Sequence, residues 1–260
     1  MHIPLMTIKA KRTLIASLIL IIIGGFFAYA FIYRYLEARQ EARSAMYPEF
    51  GIEMPEQYQI HGIDVSRYQQ YIYWKAVKQM QVRNIKIGFA FIKATEGTDR
   101  VDSYFKRNWK KAKQENLTIG AYHFFVPGKS GKQQAELFIQ TVKLQPGDLP
   151  PVLDIELTSG VDTKQLKKEL SIFLQALESH YKIKPIIYSN VDFYEKHLGE
   201  AFDSYPLWIA HYIEHNKPRI KRNWLFWQHS DKGKANGIKA DVDFNVFNGD
   251  SAAFKSLLLK

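Results

Sequence analysis

The sequence predicts an α/β fold: an irregular, TIM-like (β/α)5β3 barrel preceded by an N-terminal transmembrane helix. Three observations predict it. Eight short apolar runs of strand length recur between residues 59 and 250. Amphipathic stretches separate the first five runs, and the connections after Trp208 leave little room for helices. An uncharged run of 21 residues lies apart from these, near the N-terminus. Strands alternating with helices build a parallel sheet with crossover helices, and eight strands suffice to close it into a barrel. A doubly wound open sheet is the alternative. No Gly-x-Gly-x-x-Gly segment or phosphate loop supports nucleotide binding.

The elements follow in order. Residues 1–12 read as a short basic cytoplasmic tail bearing Lys9, Lys11 and Arg12. Residues 13–33 read as a transmembrane signal anchor. As a helix this run would be about 31 Å long, the thickness of a bilayer core. The basic tail favours a cytoplasmic N-terminus with the body translocated, a preference that Arg34, Arg39 and Arg43 weaken without reversing. A cleaved signal peptide, with Ala28-Tyr29-Ala30 as its cleavage box, is the rival. The apolar run continues past Ala30, which favours the anchor. Either way the body is expected outside the cytoplasm, periplasmic or extracellular. Residues 34–58 read as a stalk or linker, and residues 59–260 as the barrel.

The strand-like runs begin at Ile60, Gly88, Thr118, Val152, Pro185, Leu207, Leu225 and Ala240. The clearest helix spans 163–181, with Leu166, Leu170, Phe173, Leu174 and Leu177 on one face and Asp162 as N-cap. Composition narrows the chemistry. With no cysteine there are no disulfides, thiolate metal sites or cysteine nucleophile. The net charge of +10 suits polyanionic surroundings such as nucleic acid, anionic lipid or cell-wall polymer, but no nucleic-acid motif is present. Aromatics make up 14%, enough for a large core or a carbohydrate surface.

Residues 151–156 read Pro-Val-Leu-Asp-Ile-Glu. In a strand Asp154 and Glu156 project from one face, with Cα atoms about 6.5 Å apart. Burying unpaired charge costs several kcal/mol, so a buried strand with two such carboxylates needs a reason. A salt-bridged pair is one. Glycosidic bond cleavage, which uses carboxyls of separated acidity, is the other. Polar or aromatic groups recur at the other strand ends, where a barrel places its site. They are Asp64, Glu96, Tyr122 with His123, Tyr188, Trp208 with Tyr212, Trp227 with Gln228, and Asp241 with Asp243.

These segments resemble the family-25 glycoside hydrolases, the lysozyme-type N-acetylmuramidases. The matching stretches are His61-Gly62-Ile63-Asp64-Val65-Ser66 with Gln69, Ile92-Lys93-Ala94-Thr95-Glu96-Gly97, Gly120-Ala121-Tyr122-His123-Phe124 and Leu153-Asp154-Ile155-Glu156. They continue through Ile187-Tyr188-Ser189-Asn190, Leu207-Trp208-Ile209-Ala210, Trp227-Gln228 and Val242-Asp243-Phe244-Asn245. Tyr68 stands where the family usually has Trp.

The resemblance implies hydrolysis of the β-1,4 bond between N-acetylmuramic acid and N-acetylglucosamine in peptidoglycan glycan strands. It implies Glu156 as general acid, Asp154 as its partner, and Asp64 and Asp243 as further acidic site residues. Tyr122, Tyr188, Trp208, Tyr212 and Gln228 would shape the substrate. The three aspartates are expected to raise the Glu156 pKa by repulsion, keeping a proton available. The nucleophile is either a carboxylate or the substrate's own 2-acetamido oxygen oriented by Asp154. The second is favoured, and both retain anomeric configuration. No cofactor or metal is implied, a monomer is expected, and the membrane is met through the N-terminal helix. Two rivals remain: a metal-dependent cell-wall deacetylase using His61, His123, His211, Asp64 or Asp243, and a non-catalytic peptidoglycan-binding barrel. The histidines lack metal-site spacing. His123 reads as structural.

Overall fold

A computed structural model describes residues 8–41 and 44–260; part of the expected cytoplasmic tail, residues 1–7, lies outside the described residues. The chain forms two compact units, the second beginning at Ser44.

The first unit is one helix, α1 (Ile8–Glu41). Its segment Ser17–Tyr35 has a mean hydropathy of 1.9 and no buried residue. At about 28 Å it is long and apolar enough to cross a membrane. A signal sequence has the same length and composition, so the helix is a candidate for either.

The second unit opens with an antiparallel hairpin of β1 (Ser44–Tyr47) and β2 (Ile52–Pro55). This corrects the expected linker at 34–58. Residues 34–41 continue α1, and residues 44–55 belong to the barrel unit. Tyr47, Phe50, Ile52 and Met54 are buried in the core. The Phe50 ring meets Phe244 at 5.3 Å.

The next elements are β3 (Ile60–Val65), α2 (Trp74–Gln79), the short β4 (Gln81–Val82), β5 (Ile85–Glu96), the short β6 (Arg100–Val101) and α3 (Phe105–Gln114). There follow β7 (Thr118–Phe124), α4 (Gly131–Thr141), β8 (Val152–Asp154), α5 (Thr163–Tyr181), β9 (Ile186–Asn190) and α6 (Val191–Phe193). The chain ends with β10 (Leu207–Ala210), β11 (Phe226–Gly233), β12 (Val242–Phe247) and α7 (Ser251–Leu257). Eight strands pair in the order β3-β12-β11-β10-β9-β8-β7-β5, and β3 pairs back with β5. The sheet is therefore a closed barrel, not the open alternative.

Both faces of these strands are buried, which is why they read as near-continuous apolar runs. Alternate residues divide between two cores. Phe89, Phe91, Val152, Ile186, Trp208, Phe226 and Phe247 pack in one cluster, the barrel interior. Ala90, Ile92, Leu153, Ile187, Ile209 and Val246 pack in the other, under the helices. α5 forms as its pattern predicts: Asp162 caps Lys164 N and Gln165 N, and the five periodic apolar residues are buried. α4 packs against it at Gly131, where a Cβ would fall 2.0 Å from the Glu169 carbonyl oxygen.

Two strand readings change. β8 ends at Asp154, so Glu156 lies just beyond the strand rather than within it. β12 starts at Val242 and runs antiparallel to both β11 and β3. Asp243 thus stands near the start of its strand, not the end. The reversal brings that start to the rim where the parallel strands finish, and Asp243 pairs in register with Asp64.

Candidate active site

At this rim a cavity of about 270 Å³ opens, and all nine site residues read from the sequence line it. Asp64 comes from β3, Tyr122 from β7, Asp154 from β8 and Glu156 from the loop after it. Tyr188, Trp208, Gln228 and Asp243 come from β9, β10, β11 and β12, and Tyr212 from the loop after β10. Glu156 and Tyr212 also line an adjoining cleft that carries Asp192, His211 and Arg219.

Gln228 organises the floor. Its Oε1 accepts from the hydroxyls of Tyr188 at 2.8 Å and Tyr212 at 2.6 Å. Its Nε2 donates to Asp64 Oδ2 at 2.8 Å. The same oxygen accepts from Asn245 Nδ2 at 2.8 Å, and Asn245 Oδ1 accepts from Trp208 Nε1 at 2.7 Å. Trp208 is 2% exposed and stacks on Phe91 at 4.5 Å. It holds Asn245 in place and also lines the cavity. Trp227 is core, its indole donating to the His211 carbonyl.

The four carboxyls fall into two electrostatically interacting pairs, Asp64 with Asp243 and Asp154 with Glu156. Burial pushes every one of them up. Asp64 is pushed up by burial while the amides of Asn245 and Gln228 pull it back. Asp243 rises to about 9, from burial first and then from the charge of Asp64. Burial and then the Glu156 charge hold Asp154 well above the carboxylate range. Glu156 is raised chiefly by burial; the Asp64 charge adds to this, but the hydrogen bond with Asp154 and the Lys93 charge oppose it. This revises the expected cause. Desolvation leads, and Asp154 pulls Glu156 down rather than up. Within each pair the two carboxyls titrate together, so the raised affinity for a proton belongs to the pair.

Sequence reasoning missed several lining residues: Lys93, Ser66, Tyr68, Gln69 and Phe124. Lys93 supplies the cation beside the Asp154–Glu156 pair. Its Nζ bonds Glu96 Oε2 at 2.8 Å and sits 4.6 Å over the Phe124 ring. A lysine inside a buried apolar strand was the available signal. Gln69 completes a capping box with Ser66 and ties its loop to the Asp241 carbonyl at 2.9 Å. Glu96 and Asp241 themselves do not line the cavity. His123 is fully buried between Thr95 Oγ1 at 2.7 Å and Gln134 Oε1 at 3.1 Å, and burial lowers its pKa to about 4. Among the described residues no group of three or more His, Asp or Glu side chains is placed to hold a metal ion.

The sequence pattern of the glycosyl hydrolases family 25 matches residues 63–238. The chain belongs to this family. It is a glycoside hydrolase, and the matched span holds every lining residue named above except Asp243. The protein YegX of Escherichia coli (strain K12) is 48% identical over 200 residues, 77% of this chain and 74% of YegX. Lysozyme M1 of Streptomyces globisporus is 34% identical over 214 residues, 76% of this chain and 71% of its own. The structure of a family 25 glycosyl hydrolase from Bacillus anthracis superposes with a TM-score of 0.72 at 34% identity. It covers 82% of this chain and 99% of that one.

Proposed function

We propose that this hydrolase is a muramidase that cleaves the β-1,4 bond between N-acetylmuramic acid and N-acetylglucosamine in peptidoglycan. The observation that carries the reading is the convergence of Asp64, Asp154, Glu156 and Asp243 on one solvent-reached cavity. Likeness to a lysozyme supports the substrate.

Glu156 is the general acid. It is the less buried member of its pair and borders both the cavity and the adjoining cleft. Its pKa is raised, chiefly by burial, which favours the protonated form that an acid needs. The proton passes to the leaving sugar's oxygen as the bond to C1 breaks. The 2-acetamido oxygen of the retained sugar bonds to C1 from the opposite face. The reactive form has the pair's proton on Glu156 and Asp154 ionised; Asp154, buried beside Glu156, then accepts the acetamide N–H and stabilises the positive charge that develops there. Water then opens the oxazolinium ring at C1 and returns a proton to Glu156. Two inversions leave the anomeric configuration retained. Asp64 is fixed by two amide donors and adds negative potential.

The test is Glu156→Gln. Purified wild type releases reducing ends from peptidoglycan with retained configuration. The variant loses on the order of 10²–10⁴-fold in rate while still binding the wall. Wild type as inert as the variant would mark a binding barrel instead, and an inverted product would overturn the acetamido route. The body acts outside the cytoplasm, held to the membrane by α1.

A further inference from the structure

Three large rings stand in water on the stretch between β3 and α2. Tyr68, Tyr71 and Tyr73 are 69%, 68% and 63% exposed. Tyr68 lines the acidic cavity. Tyr71 and Tyr73 line a second cavity of about 350 Å³, with Arg107, Ile238 and Lys239. The two cavities therefore share one short run of chain.

The second cavity is built rather than incidental. Tyr73 N donates to the Gly237 carbonyl at 2.9 Å, drawing the loop before β12 against the tyrosine run. Gly237 has φ +90, and a Cβ there would fall 2.4 Å from the Tyr73 oxygen. Only glycine allows this approach. The Tyr71 ring is held edge-on by Tyr104 at 5.3 Å, and the Arg107 guanidinium lies 4.7 Å from its centroid. Among the described residues no carboxylate comes within ion-pair distance of Arg107 or Lys239. The cavity thus offers flat apolar rings beside uncompensated positive charge.

Exposed apolar patches rimmed by polar groups mark binding surfaces. Tyrosine rings accept the C–H faces of pyranoses, and the two cations accept carboxylates. A polymer that carries both is a glycan strand with acidic substituents, such as peptidoglycan, whose stem peptides carry carboxylates and whose lactyl groups are carboxylates where the peptide is absent. We propose that Tyr71, Tyr73, Arg107 and Lys239 form a second saccharide site outside the catalytic cavity. It holds a carboxylate-bearing stretch of the wall polymer while the acidic cavity works on a neighbouring bond. The proposal rests on the muramidase reading.

The experiment separates the two. Full-length protein in detergent is assayed for hydrolysis of a short soluble glycan fragment and for co-sedimentation with insoluble peptidoglycan. Sedimentation is done in the Glu156→Gln background so that the polymer survives. Wild type that fails to cut the fragment defeats the muramidase reading. With that activity established, Tyr71→Ala/Tyr73→Ala is expected to keep fragment hydrolysis. It should lose roughly tenfold in affinity for the insoluble polymer. Lys239→Glu, at an exposed position that folding tolerates, is expected to weaken sedimentation and its salt dependence. Unchanged sedimentation of both variants would overturn the second site. So would a loss of fragment hydrolysis equal to the loss of sedimentation.

Discussion

Asp243 shows how burial sets both the chemistry and the stability of this site. It faces Asp64 across the β3–β12 ladder, and its carboxyl rises to about 9 from 3.8. The folded chain therefore holds a proton that the unfolded chain gives up near pH 4. Rising pH favours the state that releases protons, so stability falls through the window from 3.8 to about 9. Asp243→Asn has no such proton to lose. Its melting temperature should gain on wild type steadily between those limits and gain no further above them. A difference in melting temperature that stays constant across the window would contradict the assignment. The acids were legible because each is a charged residue set in or beside an apolar run. Asn245 was not. Its role depends on the hydrogen bonds it makes to Asp64 and Trp208, and a pattern of polarity shows a residue's character but not its partner. Tyr68 stands out in the sequence only as a departure from the family's usual Trp, and its place in the cavity was not legible because its ring is exposed and no core pattern points to it.

Elements follow the same logic at a larger scale. Strand existence was legible because two-sided burial makes long apolar runs, and α5 was legible down to its cap because helix period and capping agree. Direction was not. β12 has the same composition whether parallel or antiparallel, and only the short connection from β11 hints at the reversal that delivers Asp243 to the rim. The β1–β2 hairpin was missed because its buried residues are few and lie among Pro and Glu. Helix α1 was legible from its lack of charge, but an anchor and a cleaved signal share that feature. The anchor reading expects full-length chain in the membrane fraction, extracted by detergent and not by salt. A mature chain beginning at Phe31 would contradict it.

Across the whole molecule the barrel separates packing from chemistry. One end of the interior is filled by Phe89, Phe226, Phe247 and Phe254, which meet at 5.1–6.5 Å. That apolar plug leaves the other end free to hold four carboxyls. Acids brought together this way raise one another's cost of ionisation, a strain the rest of the fold must offset. The closed sheet makes it possible, since strands far apart in sequence end at one rim. The most direct test of the account is a digest of purified peptidoglycan, reduced with borohydride and analysed by mass spectrometry. Muramidase action predicts that every new reducing end is N-acetylmuramic acid, recovered as its alcohol. Reduced N-acetylglucosamine at the new ends, or intact strands that have lost acetyl groups, would contradict it.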